Sequence, residues 1–392
     1  MSRPASVCVF MEYFYAVVSG GRVKFAGGAE VQMAHLARGL VRQGFDVSVV
    51  TCDFGQPDAL EVDGMRLLRA YRPRAGLPIV RFFHPRLTLG VGALRRADAD
   101  VYLCKGASQW AGIVCDLAHA MGRKFVWIAS HDYDALPALP DIRSWRAKAL
   151  AKRAIRRADA IVSQTEAQQR LLRASFGRES TVVPNLVPLP PPAQVVDAAG
   201  PPALVWLATY KPSKRPAWFT RFAERHPAVR CRMAGTIPEP PRGPESWNAA
   251  LAMAERCPNL EVLPTLPHEQ VGEFLRSATL FAHSSAAEGF PNTFLEAWAH
   301  GLPCVTAFDP DGVIERERLG ACRKDYDGWE AELERRIADP ALRVAEGARA
   351  RAHVETHHAP AVIHPRFADV LRRALGQGPV EDSGREGRSR TG

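Results

Sequence analysis

The chain has 392 residues, 46% of them apolar, and a formal net charge of +9. That length exceeds what one hydrophobic core usually serves, so two domains are expected, and no apolar run approaches the roughly 18 residues of a membrane span. The eight cysteines show neither Cys-x-x-Cys spacing nor a ligand pattern with histidine, which argues against a disulfide framework or a zinc site and fits reduced thiols in a cytoplasmic protein. The positive charge leaves nucleic acid, an anionic membrane surface and anionic substrates as candidate partners.

From the N-terminus, residues 7–18 are apolar apart from Glu12 and read as a buried first strand with its loop. Gly27-Gly28-Ala29-Glu30 opens a segment with Val31, Ala34, Ala37, Leu40 and Val41 on one helical face, stopped at Gly44, and Val47, Val49 and Val50 then form a buried strand. Strand, glycine loop, helix and strand in that order make the unit of a doubly wound parallel sheet, whose ligands bind beyond the carboxyl ends of the strands. Taken alone, Gly27 and Gly28 equally fit a plain turn with positive φ. Apolar runs at 100–104, 125–129 and 159–163 continue the alternation. His131 follows the second of these runs, which puts an imidazole at a strand's carboxyl end, although a lone histidine also serves structural hydrogen bonds. Residues 143–157 carry seven basic and no acidic side chains with helical propensity throughout. Such a helix docks on anionic lipid headgroups or simply faces water. No basic stretch is interleaved with aromatics in the manner of a nucleic-acid surface, so nucleic acid is not expected as a partner.

Residues 184–202 hold too many prolines for a helix or a central strand, and 186–202 reads as the linker between a first domain at 1–185 and a second at 203–359. The second domain opens with the apolar run 203–208, followed by Thr209-Tyr210-Lys211-Pro212-Ser213-Lys214 and an amphipathic helix through Trp218, Phe219 and Phe222. Lys211 and Lys214 stand at the strand-to-helix turn, where ammonium groups neutralise a diphosphate leaving group, or else belong to a solvated basic loop. Further strands end at Gly235 and near 262–267.

The most informative stretch is 285–303. Gly289 and Pro291 break any preceding element, and Asn292 suits the N-cap of a helix that runs through Ala297, Trp298 and Ala299 to a stop at Gly301. Glu288 then lies on the loop and Glu296 inside the helix. Unbonded amides near Asn292 and Thr293, with the helix dipole, form an anion site suited to phosphate. The two carboxylates only accept hydrogen bonds, so they suit hydroxyl groups on either side of that anion. A ligand with sugar, diphosphate and ribose in a row satisfies the whole set, as a nucleotide sugar does; the spacing by itself also fits two glutamates flanking an ordinary helix. A last helical segment, 360–375, precedes a Gly-, Ser- and charge-rich tail at 376–392 expected to be disordered.

Glu288-Gly289-Phe290-Pro291-Asn292, with Glu296-Ala297-Trp298-Ala299 before Gly301-Leu302-Pro303, closely resembles the motif of the retaining glycosyltransferases of family 4. The resemblance covers the chain to about residue 375 and is weaker in the first 130 residues. It implies the GT-B fold, an α/β architecture of two Rossmann-like domains facing across a cleft: an acceptor-binding first domain, a donor-binding second domain, and a terminal helix, 360–375, that crosses back to the first. It implies transfer of a hexosyl group from a nucleotide-diphosphate sugar to a glycan or lipid-linked hydroxyl, with retention at the anomeric carbon, in bacterial polysaccharide or glycolipid assembly. No cofactor is implied, and no Asp-x-Asp pair is assigned to a metal.

By the same resemblance the catalytic residues are His131, Lys214 and Glu288. The donor-binding residues are Gly27, Gly28, Lys211, Gly235, Gly289, Phe290, Pro291, Asn292, Thr293 and Glu296. Glu296 is expected on the ribose hydroxyls and Glu288, Gly289 and Phe290 at the sugar, while the backbone at the strand ends near Gly235 meets the base. In one place the sequence departs from the family: its turn carries an Arg five positions before the Lys, and here Thr209 precedes Lys214, leaving Lys211 as the candidate replacement. A nucleotide-sugar epimerase, a glycan phosphorylase or a non-catalytic partner subunit of the same fold are the alternatives. The expected location is cytoplasmic, with peripheral contact to the inner face of the membrane through 143–157.

Overall fold

The computed structural model describes residues 3–20, 27–77, 82–238 and 244–378. Most of the expected tail, 379–392, lies outside them. Two sheets organise the chain. The first has eight strands, β1 (Ser6–Phe10), β2 (Asp46–Thr51), β3 (Ala59–Val62), β4 (Met65–Arg69), β5 (Val101–Lys105), β6 (Lys124–Ile128), β7 (Ala160–Ser163) and β8 (Thr181–Val182), in the order β3-β4-β2-β1-β5-β6-β7-β8. Every pairing is parallel except β3 with β4, a hairpin closed by Asp63 and Gly64, both at positive φ, the geometry a two-residue turn between twisted strands requires. The second sheet has six parallel strands, β9 (Ala203–Leu207), β10 (Arg230–Ala234), β11 (Leu260–Leu263), β12 (Leu280–His283), β13 (Cys304–Thr306) and β14 (Gly320–Cys322), in the order β11-β10-β9-β12-β13-β14.

Each sheet is covered on both faces, so its strands read as nearly continuous apolar runs rather than alternating ones. Helices Gly28–Arg42 and Pro360–Ala374 cover one face of the first sheet, and Thr88–Ala97, Gln109–Ala120 and Trp145–Arg157 the other. The second sheet is sandwiched in the same way, with Asn292–Ala299 and Pro340–His357 on one side and Pro216–Arg225 and Tyr326–Ala338 on the other. The terminal helix Pro360–Ala374 therefore belongs to the first sheet's core although the second lobe precedes it. It crosses Gly28–Arg42 so closely that a side chain at Gly39 would run into the His364 ring, 2.2 Å from an added Cβ. After β1 the chain does not run on as a loop: Phe14–Val18 forms a short helix that buries Phe14 and Tyr15, because apolar side chains at helical spacing can reach the core there.

The chain passes between the lobes twice, side by side. Val187 N–H donates to the carbonyl of His358 (3.1 Å), and the His358 Nδ1 meets the carbonyl of Asn185 (2.7 Å). Beyond this point the proline-rich segment is ordered against the second lobe, where the buried Arg343 donates to the carbonyls of Ala198 and Gly200, both at 2.8 Å. All eight cysteines are unpaired, and seven of them are buried.

Opposite the crossing, the second lobe reaches the first at Asp311. Its carboxylate accepts from the amides of Glu166 (2.8 Å) and Ala167 (2.9 Å), the exposed first turn of helix Glu166–Phe176. A helix start has donors to spare, and a carboxylate there gains from the dipole as well. Asp311→Ala should lower the stability of the folded chain by about 1 kcal/mol, read as a lower midpoint in urea unfolding; an unchanged midpoint would mean that the clasp contributes nothing.

Candidate functional site

Both sheets point the carboxyl ends of their strands into the gap between the lobes, and the site is built there. On the second lobe, β9 runs into Ala208 and Thr209, and the chain then turns through Lys211 and the short turn Pro212–Lys214 before Pro216 opens the next helix. Proline suits that first helical position, where no amide partner is required. Ser284, just past β12, staples the turn: its Oγ lies 2.8 Å from the Lys214 carbonyl and 2.9 Å from that of Arg215, and it accepts from the Trp206 indole at 3.0 Å. Ala286 N–H adds a bond to the Ser213 carbonyl (3.1 Å).

The staple brings Lys214 onto Glu288, and the two form a buried ion pair. Burial, and after it the Lys211 ammonium, push the Lys214 amine down to about 7. Three N–H groups on an ammonium allow it to hold Glu288 and still donate to other oxygens. His283, at the end of β12, places Nε2 3.7 Å from the same Glu288 oxygen, while its buried Nδ1 has no partner among the described residues. Burial, then Lys214, hold this imidazole well below its ordinary range. His283 is therefore a neutral member of the cluster, and the sequence offered no signal for it beyond its place at a strand end.

Helix Asn292–Ala299 starts one residue earlier than an N-cap at Asn292 implies. Pro291 is the cap residue, Phe294 N–H bonds back to its carbonyl, and Asn292 is already helical. The Asn292 side chain is taken up elsewhere: Nδ2 donates to the Gly28 carbonyl across the cleft (2.9 Å), and Oδ1 accepts from Asn185 (3.1 Å). The amides of Asn292 and Thr293 donate to nothing among the described residues and line the cavity. Gly27 and Gly28 do not sit at positive φ; an added Cβ would lie 2.6 Å from Glu30 Oε2 at Gly27 and 2.8 Å from Asn292 Nδ2 at Gly28, so a side chain there would displace the ends of Glu30 and Asn292.

On the first lobe, His131 caps the turn Asp132–Ala135. Its Nδ1 accepts from Tyr133 N–H (3.2 Å), which leaves the proton of the neutral ring on Nε2. Burial, followed by Lys214, lowers its affinity for a second proton. Asp134 holds the loop by accepting from the amides of Ser130 (2.9 Å), His131 (3.1 Å) and Ala107 (3.1 Å).

These groups enclose a cavity of about 340 Å³. Gly28, Lys105, Ser130, His131 and Gln164 line it from the first lobe, and Thr209, Lys214, His283, Glu288, Gly289, Phe290, Pro291, Asn292 and Thr293 from the second. A neighbouring cavity of about 140 Å³ shares Asn292 and holds Glu296, with His35 on the first lobe and His268 and His300 on the second. Of the residues assigned from sequence, His131, Lys214, Glu288, Gly28, Gly289, Phe290, Pro291, Asn292 and Thr293 meet in the larger cavity, and Glu296 lies in the smaller one. Gly27 adjoins the first through the helix start at Gly28. Lys211 and Gly235 line neither; Gly235 is placed by packing, because an added Cβ would lie 1.6 Å from the Ala208 carbonyl oxygen. Four Asp-x-Asp spacings do occur, at 98–100, 132–134, 309–311 and 325–327; the carboxylates of the first three are taken up by Arg123, Gln168 and backbone amides, and Asp325 caps its own helix by accepting from Gly328 N–H.

Comparison with known proteins agrees with this architecture. Residues 26–189 match the family described as Glycosyltransferase Family 4, and residues 201–339 match Glycosyl transferases group 1. D-inositol 3-phosphate glycosyltransferase from Kineococcus radiotolerans is 26% identical over 411 residues, covering 89% of this chain and 91% of the relative. Among solved structures, sucrose-phosphate synthase from Thermosynechococcus elongatus superposes with a TM-score of 0.75 at 15% identity, over 95% of this chain and 99% of that one. Anabaena HepE, solved with UDP-glucose, gives 0.71 at 16% identity, over 94% and 99%. Two parallel-sheet lobes around a shared cleft are the GT-B fold, and the chain belongs to the family 4, group 1 glycosyltransferases.

Burial pushes the Glu296 carboxyl up to about 7, and no hydrogen bond or ion pair of that group is present among the described residues. The three imidazoles around it are all held below their ordinary range by burial, His35 down to about 4, so the group that titrates near neutrality in this cavity is Glu296. Hydroxyl donors bind the ionised form, so their binding removes a proton. Affinity for a nucleotide-diphosphate sugar should therefore rise with pH up to about 7 as Glu296 ionises, and fall above it as the Lys214 ammonium that meets the diphosphate is lost, each limb by at most tenfold per pH unit. Calorimetric titration between pH 5.5 and 8.5 measures this, with Glu296→Gln expected to lose the rising limb and keep the fall.

Proposed function

We propose that this glycosyltransferase moves a hexosyl group from a nucleotide-diphosphate sugar to a hydroxyl acceptor with retention at the anomeric carbon. One observation carries the reading: the Lys214–Glu288 pair and the unbonded amides of Asn292 and Thr293 converge on one cavity, with Glu296 in the pocket next to it. A diphosphate placed between them meets an ammonium and a helix start, its ribose reaches Glu296, and its sugar lies against Glu288 and Gly289. The solved complex of HepE with UDP-glucose makes uridine diphosphate sugars the first donors to test.

In this reading the bond from the anomeric carbon to the diphosphate oxygen breaks while Lys214 and the helix amides stabilise the departing charge. That oxygen takes the proton of the acceptor hydroxyl, and the new glycosidic bond forms on the same face. Neutral His131 donates from Nε2 to an oxygen of the bound ligand. Thr209 stands where relatives carry a guanidinium, and Lys211 acts from outside the lining as a charge on Lys214 and His131. No cofactor enters the scheme, and charge neutralisation is assigned to side chains and amides.

Lys214→Ala should lower turnover on the order of 100- to 1000-fold and raise the donor Michaelis constant far less. Wild-type turnover in that variant would remove the leaving-group role, and an inverted product anomer by NMR would remove retention.

Helix Trp145–Arg157 supports a membrane-bound acceptor. Trp145 is 73% exposed with Arg146 stacked over its ring, and Arg143 and Arg156 are exposed nearby, whereas Arg153 and Arg157 are engaged by Asp116. No helix among the described residues is long and apolar enough to cross a membrane. Binding to vesicles should rise with anionic lipid at roughly 1 kcal/mol per basic residue near the surface and fall with salt. Equal binding to neutral vesicles in a flotation assay would discard the contact.

A further inference from the structure

Among the described residues, three buried side-chain nitrogens have no hydrogen-bond partner, and one of them, His283 Nδ1, belongs to a residue that lines the larger cavity. His283 ends β12 and is only 1% exposed. Packing holds its ring, which stands edge-on to Phe294 with centroids 4.7 Å apart and planes at 86°, and its carbonyl accepts from Ala307 N–H (3.0 Å). Nε2 lies 3.7 Å from Glu288 Oε1, too far for a hydrogen bond. The Lys214 ammonium is bonded to that same oxygen. One carboxylate oxygen thus has two nitrogens beside it, of which one is engaged, while Glu288 Oε2 accepts from nothing among the described residues.

The neutral imidazole carries its one proton on Nδ1 or on Nε2. On Nδ1 the proton has no acceptor, and the Nε2 lone pair is turned toward a carboxylate. On Nε2 the proton faces the carboxylate, and only an unpaired acceptor is left at Nδ1. The surroundings therefore select an Nε2–H donor, standing behind Lys214. A diphosphate in the cavity competes with Glu288 for the Lys214 ammonium, because two anions then share one cation. A buried carboxylate that loses hold of its cation without gaining another donor is costly. Glu288 lies on the loop between β12 and helix Asn292–Ala299, where a shift of less than about 1 Å brings its oxygen to hydrogen-bond length from the packed imidazole.

We propose that His283 is a positioning residue of the transfer reaction: as the donor diphosphate draws Lys214 toward itself, His283 Nε2–H takes over Glu288 Oε1 and keeps this carboxylate against the donor sugar. The assignment rests on the transferase reading. It leaves the grip on the diphosphate to Lys214 and the helix amides and gives the hold on the sugar end to His283, acting through Glu288. No proton is transferred; one hydrogen bond replaces another.

The test uses the full-length protein with UDP-glucose, comparing wild type with His283→Leu, His283→Gln and His283→Asn after circular dichroism has confirmed the fold. The side-chain amide of glutamine reaches the place of Nε2, and that of asparagine the place of Nδ1. Calorimetric titration with UDP reads the grip on the diphosphate, and release of UDP from UDP-glucose in water reads turnover. His283→Leu should lower kcat at least tenfold, with UDP affinity and the UDP-glucose Michaelis constant within threefold of wild type. His283→Gln should recover kcat to within threefold of wild type, whereas His283→Asn should stay as low as His283→Leu. Unchanged kcat in His283→Leu, no recovery in His283→Gln, equal recovery in His283→Asn, or a loss of UDP affinity as large as the loss of kcat would each overturn the proposal. Should His283→Leu fail to fold, the comparison of His283→Gln with His283→Asn decides by itself. Absence of any UDP-glucose binding or hydrolysis by the wild type, repeated with other nucleotide sugars, would instead overturn the transferase reading beneath it.

Discussion

The cleft is closed by hydrogen bonds between lobes, and the site depends on that closure. Asn292 joins the start of its own helix to the Gly28 carbonyl and to Asn185, while Asp311 clasps the helix that begins at Glu166. Within the first lobe, Gln32 fixes the start of the crossing by exchanging two bonds with the backbone of Leu186, at 2.7 and 3.0 Å. Polar contacts of this kind cost little to exchange for water, unlike a buried apolar interface, so they position two rigid lobes without welding them. Each rigid half brings one wall of the cavity, and neither wall is a site by itself.

Closure also sets the protonation of what it encloses. Burial acts on five ionisable groups of the cleft in the same sense, toward the neutral form: it lowers Lys214, Lys105, His131 and His283 and raises Glu296. An incoming diphosphate works against that trend at Lys214, because a nearby negative charge restores the ammonium. Glu288 already opposes that trend at Lys214 in the unliganded site, and a bound diphosphate adds to it. Pairing Lys214 with Glu288 serves the same end, since a buried ion pair keeps its lysine in place while the cavity waits for ligand.

Much of the frame was legible because it obeys local rules. Parallel strands covered on both faces announce themselves as apolar runs at 47–50, 101–104, 125–129 and 203–207, and Gly289-Phe290-Pro291 marks a forced break before a helix. Less legible were positions whose role depends on a partner far away in sequence. Asn292 has the composition of an N-cap, yet Pro291 takes that place and the amide reaches Gly28, 264 positions away. Gly27 and Gly28 read as turn glycines with positive φ, but neither adopts it, and Gly28 lies against Asn292 of the other lobe. His283, His35 and His268 carry no local mark, and Lys105 looks like any lysine at the end of a strand.

The amino-acid order alone determined the two-lobed α/β plan, the proline-rich crossing and the Glu288-to-Glu296 motif, because periodicity, breakers and short spacings are properties of neighbouring residues. Tertiary structure decided which charges share a cavity, since that follows from two sheets built some 200 residues apart pointing their strand ends at one gap. It decided as well that Lys214 meets Glu288 while Lys211 stays outside the lining, and that Lys105 lines the cavity. Burial and distance, which set both pairing and protonation, exist only once the chain has folded.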